Sequence, residues 1–204
     1  MIAAIARHTP CFTDERFMET IEALMTRRQA PRLVEPGPTP EHLAAAFAAA
    51  LGAPEHGKLR PWRFVVIEGA ARLKFGEVLA EALKRKSPRA SEEQFKAERE
   101  RALRAPVVIV AAAKIVPHHP KIPEIEQVLS AACATQNFWL ACHGLGYGCM
   151  WKTGAPAYDP AVKTALGLGA HDHIVAFMYV GTPAGQPAEL ARPDPAGFVS
   201  AWTG

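Results

Sequence analysis

A single domain in which helices pack around a central sheet is the fold class this sequence predicts, and three observations predict it. The run Val107-Val108-Ile109-Val110 is β-branched and carries no polar side chain, as expected of a strand covered on both faces. Other segments, such as residues 72–86, repeat their apolar positions at the helical period. With 49% hydrophobic content over 204 residues, the chain can bury one substantial core, about 70% of its unfolded surface.

In chain order, Phe17, Ile21, Leu24 and Met25 lie at helical spacing over residues 16–28, and Pro31, Pro36, Pro38 and Pro40 then forbid continuation. Thr39-Pro40-Glu41 supplies an N-cap, a proline at the first helical position and an acid in the first turn, starting an alanine-rich helix that stops near Gly52. Residues 63–68 read as a strand closed by Gly69, 72–86 as a surface helix and 91–103 as a second, highly charged one. After the central strand, residues 124–142 are apolar on nearly every side, with Leu129, Ala132, Cys133, Phe138, Trp139 and Leu140, which predicts a core helix or a subunit interface. Gly144, Gly146 and Gly148 lead into a short strand over 149–152, Asp159-Pro160 caps a helix to Leu166, and 174–180 is the last buried strand. From Thr182 onward the chain is rich in proline and ends in Phe198-Val199-Ser200-Ala201-Trp202. A partner subunit is the natural acceptor for these apolar residues.

Composition narrows the function. The net charge of +3 is dispersed, and the densest charged segment, 84–104, mixes both signs, so no basic stripe for nucleic acid forms. Cys11, Cys133, Cys142 and Cys149 lack C-x-x-C spacing and read as reduced, mostly buried thiols of a cytoplasmic protein. The longest apolar run, 107–113, falls far short of the ~20 residues that span a bilayer. Neither His118-His119 nor His171-Asp172-His173 has a recognised ligand spacing, so no metal is expected. Cys142-His143 is no nucleophile–base pair, because adjacent helical side chains point about 100° apart.

Three motifs carry the chemistry, each beside a plainer reading. Arg27-Arg28 closes the first helix, where cations complement the macrodipole; paired guanidinium groups also clamp phosphate. Gly144-Leu145-Gly146-Tyr147-Gly148 follows a helix and precedes a strand, the reverse of a dinucleotide fingerprint. Such glycines instead let backbone approach a flat ligand or a packed helix. Trp151-Lys152-Thr153-Gly154 places a cation and a hydroxyl at a strand end, either lining a crevice or forming a solvated exit turn.

Taken in order, Arg27-Arg28, the loop Ala53-Pro54-Glu55-His56 with Pro61-Trp62-Arg63-Phe64, and Gly146-Tyr147-Gly148 running into Trp151-Lys152-Thr153-Gly154 resemble the FMN-dependent nitroreductase family, in its compact bacterial NAD(P)H subgroup. The resemblance runs from about Met18 to Phe198 and leaves residues 1–17 as an extension before a single FMN-binding domain, 18–204, with a C-terminal arm over 182–204. It implies an α+β fold, a mainly antiparallel sheet flanked by helices, in an intertwined homodimer with FMN in the interface. Arg27, Arg28 and Gln29 would grip the ribityl and phosphate end, joined by Trp151, Lys152, Thr153 and Gly154. His56 and Arg60 would reach the flavin from the partner subunit. Ala141, Cys142, His143, Gly144, Leu145 and Gly146 resemble the segment assigned to the nicotinamide cofactor, NADH or NADPH.

The implied activity is a ping-pong transfer of hydride from NAD(P)H through flavin to a nitroaromatic, a quinone or a similar acceptor, with no side chain as catalytic acid or base. The alternative is a flavin-binding sensor or carrier of the same fold. The chain departs from the family pattern at Gln29, where serine is usual, at Arg60, where glutamine is common, and at Lys152, where arginine is frequent. An arginine near the flavin's pyrimidine edge would stabilise the anionic reduced form and raise the reduction potential.

Overall fold

The computed structural model describes residues 18–185 and 190–204, so the extension 1–17, with Cys11 and the expected start of the first helix at residues 16 and 17, lies outside the described residues. Five strands form one sheet: β1 (Leu33–Val34), β2 (Trp62–Glu68), β3 (Val107–Ala113), β4 (Gly148–Lys152) and β5 (His173–Pro183). Its helices are α1 (Thr20–Thr26), α2 (Pro40–Ala50), α3 (Ala71–Lys86), α4 (Glu92–Arg101), α5 (Glu124–Gly144) and α6 (Pro160–Ala165). All strand pairs are antiparallel. β3 lies between β2 and β5, and the other edge of β5 carries β4 along residues 177–181 and then β1 at 182–183. The fold class is therefore α+β, as the resemblance implied.

Both faces of the sheet are covered, which explains why every residue of β3 is buried. Val108, Val110 and Ala112 pack with Phe75 and Leu79 of α3 and Val162 of α6. Val107, Ile109 and Ala111 meet Leu43 and Phe47 of α2 and Phe138 of α5 on the opposite face. A register shift between Ala111 and Ala112 leaves Val175 unpaired in β5, so Ile174 and Phe177 share one core cluster in spite of their odd spacing.

Helix starts follow the expected caps. Thr39 accepts from the His42 N–H, and Ser91 forms a full capping box with Gln94. Asp159 accepts from the N–H groups of Ala161 and Val162 and pairs with Arg85 at 3.1 Å. Burial alone would raise its pKa, but Arg85 and the two N–H groups outweigh it and hold the carboxyl below its ordinary value. Asp159→Ala is expected to cost about 1 kcal/mol of stability at pH 7. Because the folded pKa lies below the unfolded one, the ionic share is full above the unfolded value of about 3.9 and is lost as pH falls through the folded value. Urea midpoints of the two proteins should differ at pH 7 and draw together at pH 3.

Several boundaries differ from the sequence reading. α1 stops at Thr26 because Arg27 turns to an extended conformation, ψ 131°. β5 runs three residues past Val180, where β1 pairs with its end; a two-residue strand is too short to show alternation in sequence. α5 is core on one side only. Ile125 and Leu129 are 61% and 55% exposed and Cys133 is exposed as well, so of the two expectations for this helix the core one does not hold on that side; Cys142 and Cys149 are buried, as expected of mostly buried thiols. Gln127 and Thr135, both buried, bond to the Val116 and Ile122 backbone and to the Ala131 carbonyl respectively.

Candidate flavin site

The end of α1 is the first half of the site. The Arg27 guanidinium carbon lies 4.1 Å from the Trp139 ring centroid, a cation–π contact that directs it over α5. Burial, and then the charge of Arg192, lower its pKa. Arg192 comes from the C-terminal arm and donates to the carbonyls of Leu24, at 3.3 Å, and Arg27, at 2.8 Å, closing the helix C-terminus. The arm thus touches α1 of its own protomer, while Phe198, Val199 and Trp202 beyond it stay exposed.

Gln29 is anchored to the sheet. It bridges to Cys149, its side-chain oxygen accepts from the Trp151 N–H at 2.9 Å, and the next N–H, of Ala30, donates to Cys149 O at 2.9 Å. Gly148 admits this segment, since a Cβ there would lie 2.7 Å from the Ala30 Cβ. Its lack of a side chain therefore serves edge packing, while Gly144 and Gly146 face open space.

Thr26 donates its hydroxyl proton to Glu22 O at 2.7 Å and so accepts from His143 Nε2 at 2.8 Å. Burial, then Arg28 and Arg27, lower the His143 pKa, which keeps the ring neutral beside two guanidinium groups. Of the expected nicotinamide segment, Ala141, Gly144 and Leu145 line an apolar pocket of about 300 Å³ with Ala23, Ala45 and Leu140. Cys142 points into the core instead, His143 faces α1, and Gly146 makes the turn with φ 85°.

His56 and Arg60 occupy the opposite end of α5. His56 Nδ1 meets Glu126 Oε2 at 2.7 Å, and the Ser130 hydroxyl donates to Pro54 O at 2.8 Å. Glu55 holds Arg60 twice, accepting its backbone N–H at 2.8 Å and pairing with its guanidinium at 3.6 Å. Gly57, Lys58 and Arg60 all have positive φ, so the loop is preset rather than slack. From Glu126 to His143 the helix rises about 25 Å. The structure therefore does not bring His56 and Arg60 to Arg27 and Arg28 within one protomer.

Alternation along β4 splits the third motif. Trp151 lies on the α5 side, 6.3 Å from Trp139 between ring centroids. Lys152, with Thr153 and Gly154, lines a pocket on the α3 side with Arg104, Phe177 and Tyr179. In the two histidine motifs, His119 Nδ1 accepts from the Lys121 and Ile122 N–H groups, His173 meets Glu124 at 2.6 Å, and Asp172 accepts from the Ile115 and Gly169 N–H groups.

The sequence profile of the Nitroreductase family matches residues 33–182. The chain belongs to the nitroreductase family. YdjA of Escherichia coli K12, provisionally named an NAD(P)H nitroreductase, is 37% identical over 184 residues, 90% of this chain and 99% of its own length. A provisionally named NAD(P)H nitroreductase of Haemophilus influenzae Rd is 38% identical over 81% of this chain and 89% of its own. Among solved structures, a nitroreductase-like family protein from Bacillus cereus superposes with TM-score 0.79 at 22% identity, covering 92% of this chain and 98% of that one. A nitroreductase with bound FMN from Bacteroides fragilis gives 0.68 at 20% identity over 91% and 100%. In this nitroreductase-family chain, sequence reasoning missed the parts played by Arg192, Glu126 and Trp139. Their contacts join residues 70 or more positions apart, and Trp139 reads from its period as ordinary core.

Proposed function

We propose that this chain is an FMN-dependent oxidoreductase that passes a hydride from NADH or NADPH to a nitroaromatic, a quinone or a similar small acceptor, in ping-pong order, as a cytoplasmic homodimer. One observation carries the reading: the basic end of α1 and the preset His56–Arg60 loop lie about 25 Å apart along α5, so both can grip one flavin only if the loop comes from a second copy. The bare stripe Ile125, Leu129, Cys133 beside that loop supplies an apolar contact surface.

The donor set suits the cofactor. Guanidinium groups match phosphate bidentately, and the open backbone at Gly144 and Gly146 leaves room for a flat ring. FMN, when bound, supplies the two-electron chemistry; the chain binds and orients it. Arg27 and Arg28 hold the anionic end, and neutral His143 buttresses α1 through Thr26 without adding charge. Gln29 locks the clamp to β4, so its replacement of serine serves the scaffold. Arg60 presents its charge from the partner's loop, and Glu55 tempers it. The names of the E. coli and H. influenzae relatives and the FMN bound by the B. fragilis neighbour support the same assignment.

The purified protein is expected to be yellow, with flavin absorption that bleaches on mixing with NADH or NADPH and returns when a quinone is added. Flavin that no nicotinamide reduces would overturn the turnover reading. That outcome would favour a sensor or carrier of this fold, for which Arg60, paired with Glu55, is the specific motive.

A further inference from the structure

The last four carbonyls of a helix find no partner inside it and carry its negative pole. At the end of α1 each of them meets a donor. Ala23 O accepts the Arg27 N–H, and Thr26 O accepts from Arg28 Nε at 3.3 Å. Leu24 O and Met25 O face Arg192 Nη2 at 3.3 and 3.5 Å, and the same nitrogen donates to Arg27 O at 2.8 Å. This cap brings like charges together, close enough for Arg192 to lower the Arg27 pKa after burial has done so. A neutral donor would cap the same carbonyls without that repulsion, so the charge of Arg192 calls for a reason of its own.

We propose that Arg192 is a positioning residue of the flavin clamp, a cation from the C-terminal arm that neutralises the carbonyl end of α1 so that Arg27 and Arg28 can hold an anion there. The inference rests on the flavin reading. A phosphate beside a helix C-terminus meets the negative pole, the unfavourable end for an anion. Bare carbonyls there also compete with the ligand for the guanidinium protons of Arg27 and Arg28. Arg192 offsets the first with its charge and removes the second by occupying Leu24 O and Met25 O, while the contacts to phosphate stay with the other two arginines. Because Arg192 is exposed, its effect is that of a surface helix-end charge, smaller than the loss of a clamp residue.

Fluorescence titrations of wild type, Arg192→Gln and Arg192→Lys with FMN and with riboflavin, which lacks the phosphate, test this. Glutamine keeps a hydrogen-bond donor and drops the charge, so Arg192→Gln is expected to bind FMN about three- to tenfold more weakly than wild type. Arg192→Lys restores most of that affinity, and riboflavin binds all three proteins alike. Equal FMN affinity in the three proteins overturns the proposal. A loss that riboflavin shares, or that lysine does not repair, overturns it as well and makes Arg192 a packing residue of the arm. A wild type that binds neither flavin overturns the flavin reading instead. Hydrogen exchange over residues 20–27, measured without flavin, then decides the capping contact separately: faster exchange in Arg192→Gln supports it, and equal exchange overturns it.

Discussion

Arg28→Ala is expected to bind FMN about ten- to a hundredfold more weakly than wild type, the weight of one or two charge-assisted hydrogen bonds. Arg28 is half-buried just past α1, and its Nε donates to Thr26 O at 3.3 Å, so the guanidinium is aimed by the same residue that receives His143. Arg27 is engaged with the Trp139 face and crowded by Arg192, so the two arginines sit in different surroundings at the end of α1. The substitution has a second readout. Arg28 is the larger of the two charges that depress the His143 pKa, so its loss lets that pKa rise towards the ordinary histidine value. Flavin fluorescence quenching gives the dissociation constant, and the C2–H proton shift of His143 followed against pH gives the titration. An unchanged constant would remove Arg28 from the clamp; an unmoved His143 titration would separate the two groups.

How far sequence carried each feature depends on the range of the interaction that makes it. β3 was legible because burial on both faces leaves only apolar β-branched residues, and α2 because Thr39-Pro40-Glu41 writes its own start. The site residues were legible as an ordered set resembling a family; the family match spans residues 33–182 and leaves Arg27, Arg28 and Gln29 outside it. Their grouping was not legible. Nothing local shows that Lys152 turns to Arg104 while Trp151 turns to Trp139, because that follows from which strand edge Gln29 occupies. Glu126 reads as an acid favouring a helix start, and only the folded loop shows that it holds His56. The exposed side of α5 was concealed for a related reason. Leu129 and Cys133 read as either core or subunit interface because they are apolar, and period alone does not separate a buried face from one awaiting a partner.

Leu129→Asp is expected to give a monomer with severely reduced FMN affinity. Ile125, Leu129 and Cys133 stand at i, i+4 and i+8 on α5, and Leu129 is 55% exposed in the protomer, so an aspartate there is solvated and leaves the core of Phe138 and Trp139 intact. In a dimer the same carboxylate would enter an apolar contact twice, once from each copy. Burying an unpaired charge costs several kcal/mol, enough to shift a micromolar association beyond millimolar. The flavin consequence follows from the loop. His56 is tied to Glu126 one turn before Leu129, so separating the copies withdraws His56 and Arg60 from the flavin held by the other protomer's α1. Sedimentation measured alongside flavin titration distinguishes the outcomes. A monomer that still binds FMN like wild type would show that one copy suffices for the site. A variant that stays dimeric would move the interface off this stripe. Loss of both properties together ties the apolar face of α5 to the flavin, and makes FMN affinity in wild type a function of protein concentration near the dimer dissociation constant.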